Sequence, residues 1–185
     1  MGDVRARVLL SALAAAVLAG CGGGDEPAPG PGTPRGFCAP TAGWPAAWAA
    51  FEDEVLARVN AARAAGATCG ADAYPPAAPL RHDPALRCAA RLHSKDMHDR
   101  DFFAHDSPDG TTPWARMEAA GYAWSRAGEN IAWGYRTPAA VVAGWLASPG
   151  HCRNILAAGF RDLGVGYYEG ASGGPWWTQD FGAPR

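Results

Sequence analysis

From Pro45 onward, apolar residues recur at steps of three and four. Trp48, Phe51, Val55, Val59 and Ala62 fall on one face, so the spacing predicts a helix that begins at Pro45 and ends at Gly66. Asp83-Pro84 has the form of a cap followed by proline at the first helical position, opening a second helix with Leu86, Ala89, Ala90, His93 and Met97 on one stripe. Thr112-Pro113 opens a shorter third helix closed by Gly121. Thr137-Pro138 opens a fourth, running through Val141, Val142 and Trp145 to a stop at Pro149-Gly150. Near the end of the chain the period falls to two. Leu163 to Tyr168 and Trp176 to Phe181 are predicted strands, separated by a glycine-rich turn at 170–174, and Ile131-Ala132-Trp133 is a further short strand. Helices on one or both faces of a small, mainly antiparallel sheet form the simplest packing of these elements, an α+β domain.

The first 36 residues follow another pattern. Arg5 and Arg7 precede an apolar run from Val8 to Ala19, broken only by Ser11. The run suits a signal peptide and is shorter than the ~20 residues that span a bilayer comfortably. Leu18-Ala19-Gly20-Cys21 resembles the bacterial lipobox, in which the chain is cut before the cysteine and the new terminal cysteine carries lipid. Residues 1–20 are therefore expected to be a signal peptide and Cys21 a membrane anchor. Residues 21–36 hold Pro27, Pro29, Pro31 and Pro34 among glycines, with no large apolar side chain, and are expected to be an extended tether. The folded domain is expected at 37–185.

Composition adds three points. The chain of 185 residues is long enough for one ordinary domain, and its 48% hydrophobic content is that of a globular protein. A net charge of −2 and a pI near 6.2 give no basic footprint for nucleic acid. With Cys21 set aside, Cys38, Cys69, Cys88 and Cys152 make an even number in an exported domain, which predicts two disulfides with three pairings open. Their spacing is unlike that of a zinc ribbon.

Polar residues suited to chemistry sit at the ends of the predicted elements. His105 follows the second helix, Glu129 precedes the Ile131 strand, and His151 follows the fourth helix. Two imidazoles and a carboxylate from three boundaries suit metal binding or general acid–base work. Each also has a plain structural alternative: a helix cap for His105, a strand-entrance acceptor for Glu129, a turn residue for His151. His93 is expected at the edge of the core and His98 in solvent. Trp114, Trp124, Trp133, Trp145, Trp176 and Trp177 are expected in the core by default, or along an apolar groove. His-Glu-x-x-His does not occur. Ser107 and Ser148 lie near the two histidines in sequence, which is poor evidence for a triad.

Six segments in order resemble the CAP superfamily of cysteine-rich secretory, antigen and pathogenesis-related proteins, in its bacterial SCP-like extracellular branch. They are Val55-Leu56-x-x-Val59-Asn60-x-x-Arg63, Leu80-x-x-Asp83-x-x-Leu86-x-x-x-Ala90, Phe103-Ala104-His105-x-Ser107-Pro108-Asp109-Gly110, Gly128-Glu129-Asn130-Ile131-Ala132, Trp145-x-x-Ser148-Pro149-Gly150-His151-x-x-Asn154-Ile155-Leu156, and Gly164-Val165-Gly166 followed by Trp177-Thr178-Gln179-Asp180-Phe181-Gly182. The resemblance implies a three-layer α-β-α sandwich and a cleft patterned on two histidines and two glutamates. His105, Glu129 and His151 match three of these positions, and Ser148 stands where the second glutamate would be. Bacterial relatives also imply the pairing Cys69–Cys152, which leaves Cys38 for Cys88.

The family has been connected with lipid binding, metal-dependent behaviour and, less securely, proteolysis. With the second glutamate absent, the expectation is a binding module on the cell envelope, outside the cytoplasm. It would be tethered through lipidated Cys21 and would present a His/Glu-lined cleft, with Ser148 at its edge, to an apolar, peptide or cell-wall ligand. The alternative is a metal-assisted hydrolase with a divalent ion such as zinc on His105 and His151.

Overall fold

A computed structural model of the chain describes residues 36–171 and 173–185. The expected signal peptide, Cys21 and all of the expected tether except Gly36 lie outside the described residues.

Three of the four proline-led helix starts form as the sequence predicts, each held by the side chain before its proline. Asp83 accepts hydrogen bonds from the Ala85 and Leu86 N–H groups, both at 2.9 Å, and opens α2 (Pro84–Asp99). Thr112 and Thr137 each accept one at 3.2 Å, from Ala115 and Ala140, opening α3 (Pro113–Ala119) and α4 (Pro138–Ala147). The fourth, α1 (Ala46–Ala65), has no such cap at Pro45 and ends at Gly66 with φ 69, where a Cβ would lie 2.6 Å from the Tyr74 carbonyl oxygen.

The chain does not leave helix at Pro149. Ser148 is extended, and Pro149 is the first residue of another helix, α5 (Pro149–Leu156). Proline's missing N–H breaks α4, and that same lack is harmless at the first position of a new helix. His151 is thus the third residue of α5 and not a turn residue.

The main sheet has the order β3-β5-β6-β4, built from β3 (Arg81–His82), β4 (Trp124–Trp133), β5 (Asp162–Tyr168) and β6 (Trp176–Pro184). Only the β3–β5 pair is parallel. A small hairpin of β1 (Ala67–Cys69) and β2 (Asp72–Tyr74) lies apart from it. β4 is ten residues long, and the three-residue strand expected at Ile131 is only its end. Its centre, Glu129-Asn130, is polar and buried and breaks the alternation, and Glu129 lies mid-strand, not at the entrance.

The two faces of the sheet carry different layers. Leu163, Val165, Tyr167, Trp177 and Phe181 meet Val55 and Val59 of α1, Val141 and Trp145 of α4, and Ile155 of α5. On the other face α2 lies directly on β5. A Cβ on Gly164 would fall 2.1 Å from the backbone of Leu86 and Arg87, and one on Gly166 2.3 Å from that of Ala90. Ser94 donates to the Gly166 carbonyl, which ties the helix down at the same place. This is the three-layer α-β-α sandwich that the resemblance implies. α4 and α5 also stitch the outer edge of β4, where Trp145 Nε1 donates to the Ile131 carbonyl and Asn154 Nδ2 to that of Glu129, each at 3.2 Å.

Cys38–Cys88 fastens the turn at Gly36–Thr41 to α2, and Cys69–Cys152 fastens the hairpin to α5. Both pairs are those the resemblance implies. Between α1 and α2, buried Glu52 accepts from Arg87 at 2.7 Å, from Arg91 at 2.6 Å and from the Tyr167 N–H at 3.2 Å. No helix of the described residues is long and apolar enough to cross a membrane.

Candidate functional site

The site forms around the free edge of β4, with one histidine from each side of the sheet. After α2 the chain reverses at Asp101, whose φ of 51 is the sole non-glycine left-handed conformation among the described residues. Phe102 N–H then bonds back to the Met97 carbonyl, and the loop carries Phe103 and His105 to the strand edge. On the opposite side, α5 presents His151, whose carbonyl accepts from Asn130 Nδ2 at 3.2 Å.

Glu129 is the hub. Its Oε1 accepts a 2.7 Å bond from His105 Nδ1, and its Oε2 accepts a 2.8 Å bond from Arg116 Nη2 of α3. His93 Nε2 lies 3.9 Å from Oε1. Burial alone would raise the Glu129 carboxyl; the His105 bond and Arg116 outweigh it and hold the group below its ordinary value. The Glu129 bond in turn raises the His105 imidazole. It also fixes the ring, so that neutral His105 keeps its proton on Nδ1 and its lone pair on Nε2. His151 has no such carboxylate and is lowered by burial and then by His105. The two imidazoles are therefore shifted in opposite directions, His105 toward its protonated form and His151 away from it.

His105, Ser148 and His151 line one cleft of about 520 Å³, with Phe103, Trp133 and Tyr135 among its walls. Glu129 sits behind His105 and lines an adjoining recess with Trp114, Gly128 and Asn154. The structure thus brings together all four residues singled out in the sequence, with Glu129 acting through His105. The Ser148 side chain makes no helix-capping bond. Ser107 is excluded as a partner of His105, because it is buried and donates to Asp96 at 2.8 Å.

Other expectations change. His98 is not a solvated residue: its ring lies 4.9 Å from both Tyr168 and Trp176, and its Nδ1 meets Asp99. His93 is fully buried and not at the core edge; it donates from Nε2 to the Ala104 carbonyl, and burial lowers it to about 4. Of the tryptophans, Trp145, Trp176 and Trp177 are core, whereas Trp114 and Trp133 are exposed. Sequence reasoning missed Arg116 and Asp180. Neither stands in a motif that signals chemistry, though an arginine beside Met117 on the buried face of a short helix is a signal of a buried partner.

A three-layer sandwich with a His/Glu pair at the edge of its sheet is the arrangement of one class of domain. The chain belongs to the cysteine-rich secretory protein, or CAP, family, whose model matches residues 56–181. It is 45% identical over 103 residues to YkwD, an uncharacterized protein of Bacillus subtilis, covering 56% of this chain and 39% of that one. It is 39% identical over 74 residues to YlbC, an uncharacterized membrane protein of the same organism, covering 40% of this chain and 21% of that one. The crystal structure of an extracellular protein containing an SCP domain from Bacillus anthracis matches with a TM-score of 0.64 and 31% identity, over 72% of this chain and 40% of the other. The chain thus spans two fifths or less of the length of each of these relatives.

Proposed function

We propose that this chain is an exported binding module whose cleft receives an apolar or peptide ligand of the cell envelope. One observation carries the reading. Of the five exposed large hydrophobic residues among those described, Phe103, Trp133 and Tyr135 line the His105–His151 cleft and Trp114 the recess beside it. Exposed aromatic side chains gathered around a polar pair mark a binding surface. His105, raised by Glu129, would hold a carboxylate or other acidic group of the ligand, and the aromatic walls would take its apolar part. The two disulfides and the extracellular Bacillus anthracis relative support a location outside the cytoplasm.

The donor set argues against a resident metal. Both Glu129 oxygens are committed to His105 and Arg116. Zinc at His105 and His151 would find two imidazoles, and among the described residues no group of three or more ligating side chains is assembled. No step is therefore routed through a metal.

The test is titration with fatty-acid vesicles and with short acidic peptides, read by tryptophan fluorescence. Phe103 and Trp133 are 54% and 56% exposed, so F103A/W133A should leave the melting temperature unchanged. Affinity should fall about tenfold or more, from the apolar contact of two aromatic side chains. Equal affinity in the variant would sink the reading, and ligand turnover by the wild-type protein would favour the hydrolase. Membrane attachment has its own test: Cys21→Ser should move the protein from the membrane to the soluble fraction, and continued sedimentation with membranes would rule out the lipid anchor.

A further inference from the structure

We propose that Asp180 is a protonated positioning residue that shares its proton with Glu129, behind the His105 side of the cleft. The two residues are direct cross-strand partners in the β4–β6 ladder. Asp180 is fully buried, and neither of its oxygens meets a hydrogen-bond donor. Its other cross-strand neighbour, on β5, is Gly164, which has no side chain and over which the α2 backbone closes.

The groups that face this pair come from every layer around it. Glu129 faces it from β4 and Arg116 from α3. His93, on α2, is held neutral by burial. Arg116 bonds Glu129, the His105 and Thr111 carbonyls and Ser107, its Nε has no partner among the described residues, and none of its bonds reaches Asp180. One guanidinium cannot balance two carboxylates side by side in a dry site. A buried carboxyl that receives no donor must itself be the donor, and the acceptor opposite it on the β4–β6 ladder is Glu129. Burial first and the Glu129 charge second hold the Asp180 proton far above the usual carboxylate range.

The consequence is a cluster with Glu129 negative, Arg116 positive, Asp180 and His93 neutral, and His105 drawn toward its protonated form by Glu129. Three donors then converge on the Glu129 carboxylate, from His105, Arg116 and Asp180. That fixes its plane and, through it, the ring of His105. The role of Asp180 is independent of any ligand, so its readouts stand or fall apart from the binding reading.

The test is Asp180→Asn in the full chain. Asparagine keeps the shape, offers an N–H to Glu129 and does not titrate. In the unfolded chain aspartate ionises near pH ~3.9, so above that value wild-type folding must take up a proton. Stability from this group is complete below the unfolded value and is lost as pH rises toward the folded one. The folding equilibrium of wild type relative to D180N should therefore fall by up to about tenfold per pH unit from about pH 4 upward. A fully buried substitution should thus raise the melting temperature at neutral pH and not at pH 4. Infrared spectra of the wild-type protein should show a protonated-carboxyl C=O band at pH 7 that shifts on isotopic labelling of aspartate side chains. That second readout does not need the variant to fold. A pH-independent difference between the two proteins, or no such band, would show Asp180 ionised and overturn the proposal.

Discussion

Arg116→Met should cost about 3–5 kcal/mol of folding stability, read as a lower denaturant midpoint, because it strands a buried carboxylate. The Arg116 and Glu129 side chains are only 4% and 1% exposed, and they meet at 2.8 Å. The same guanidinium also donates to the His105 carbonyl at 2.8 Å and to the Thr111 carbonyl at 3.0 Å, so the loop that carries His105 loses its hold as well. Adding Glu129→Gln should restore a large part of the loss, since it removes the stranded charge. A cost below about 1 kcal/mol, the level of a surface ion pair, would mean that water reaches the pair and that the cleft floor is not the dry site described above.

The second large effect is expected at Cys69–Cys152. The bridge closes a stretch of 83 residues, and replacing both cysteines with serine should cost about 4 kcal/mol, measured by urea unfolding. Cys152 adjoins His151 on α5, so the same variant should also weaken ligand binding in the cleft. The Cys38–Cys88 pair is attached to α2, and its removal should lower stability while leaving cleft affinity as it was. Equal loss of affinity from both variants would show that the cleft responds to general loosening and not to the seat of α5.

Local chemistry made the helix starts legible. Asp83-Pro84, Thr112-Pro113 and Thr137-Pro138 each combine a capping oxygen with a proline that fits only the first turn. Pro149 misled because its neighbours Ser148 and Gly150 carry a turn signal as strong as a helix-start signal; only packing of Cys152, Ile155 and Leu156 decides between them. The polar centre of β4 was invisible for another reason. Glu129 and Asn130 are buried through bonds to Arg116, Gln179 and Asn154, and a strand that buries polar groups in a network shows no alternation of hydrophobicity. His105, Glu129 and His151 were recognised by their place in a family pattern. Arg116 and Asp180 act on Glu129 across distant segments, and such a partnership leaves no local trace in a single sequence.

The Cys38–Cys88 bridge has a mechanical consequence. Tension applied to the chain at Gly36 passes through that bond into α2 at Cys88, near the start of the helix, and the stretch between the two cysteines, α1 included, is bypassed. The load reaches a helix that lies flush on β5 over Gly164 and Gly166 and is fastened there at Ser94. With the opposite pull at the end of β6, the sandwich is loaded in shear across its layers and not peeled one strand at a time. A domain dragged from its amino-terminal side would keep its cleft until that central packing gives way as a unit.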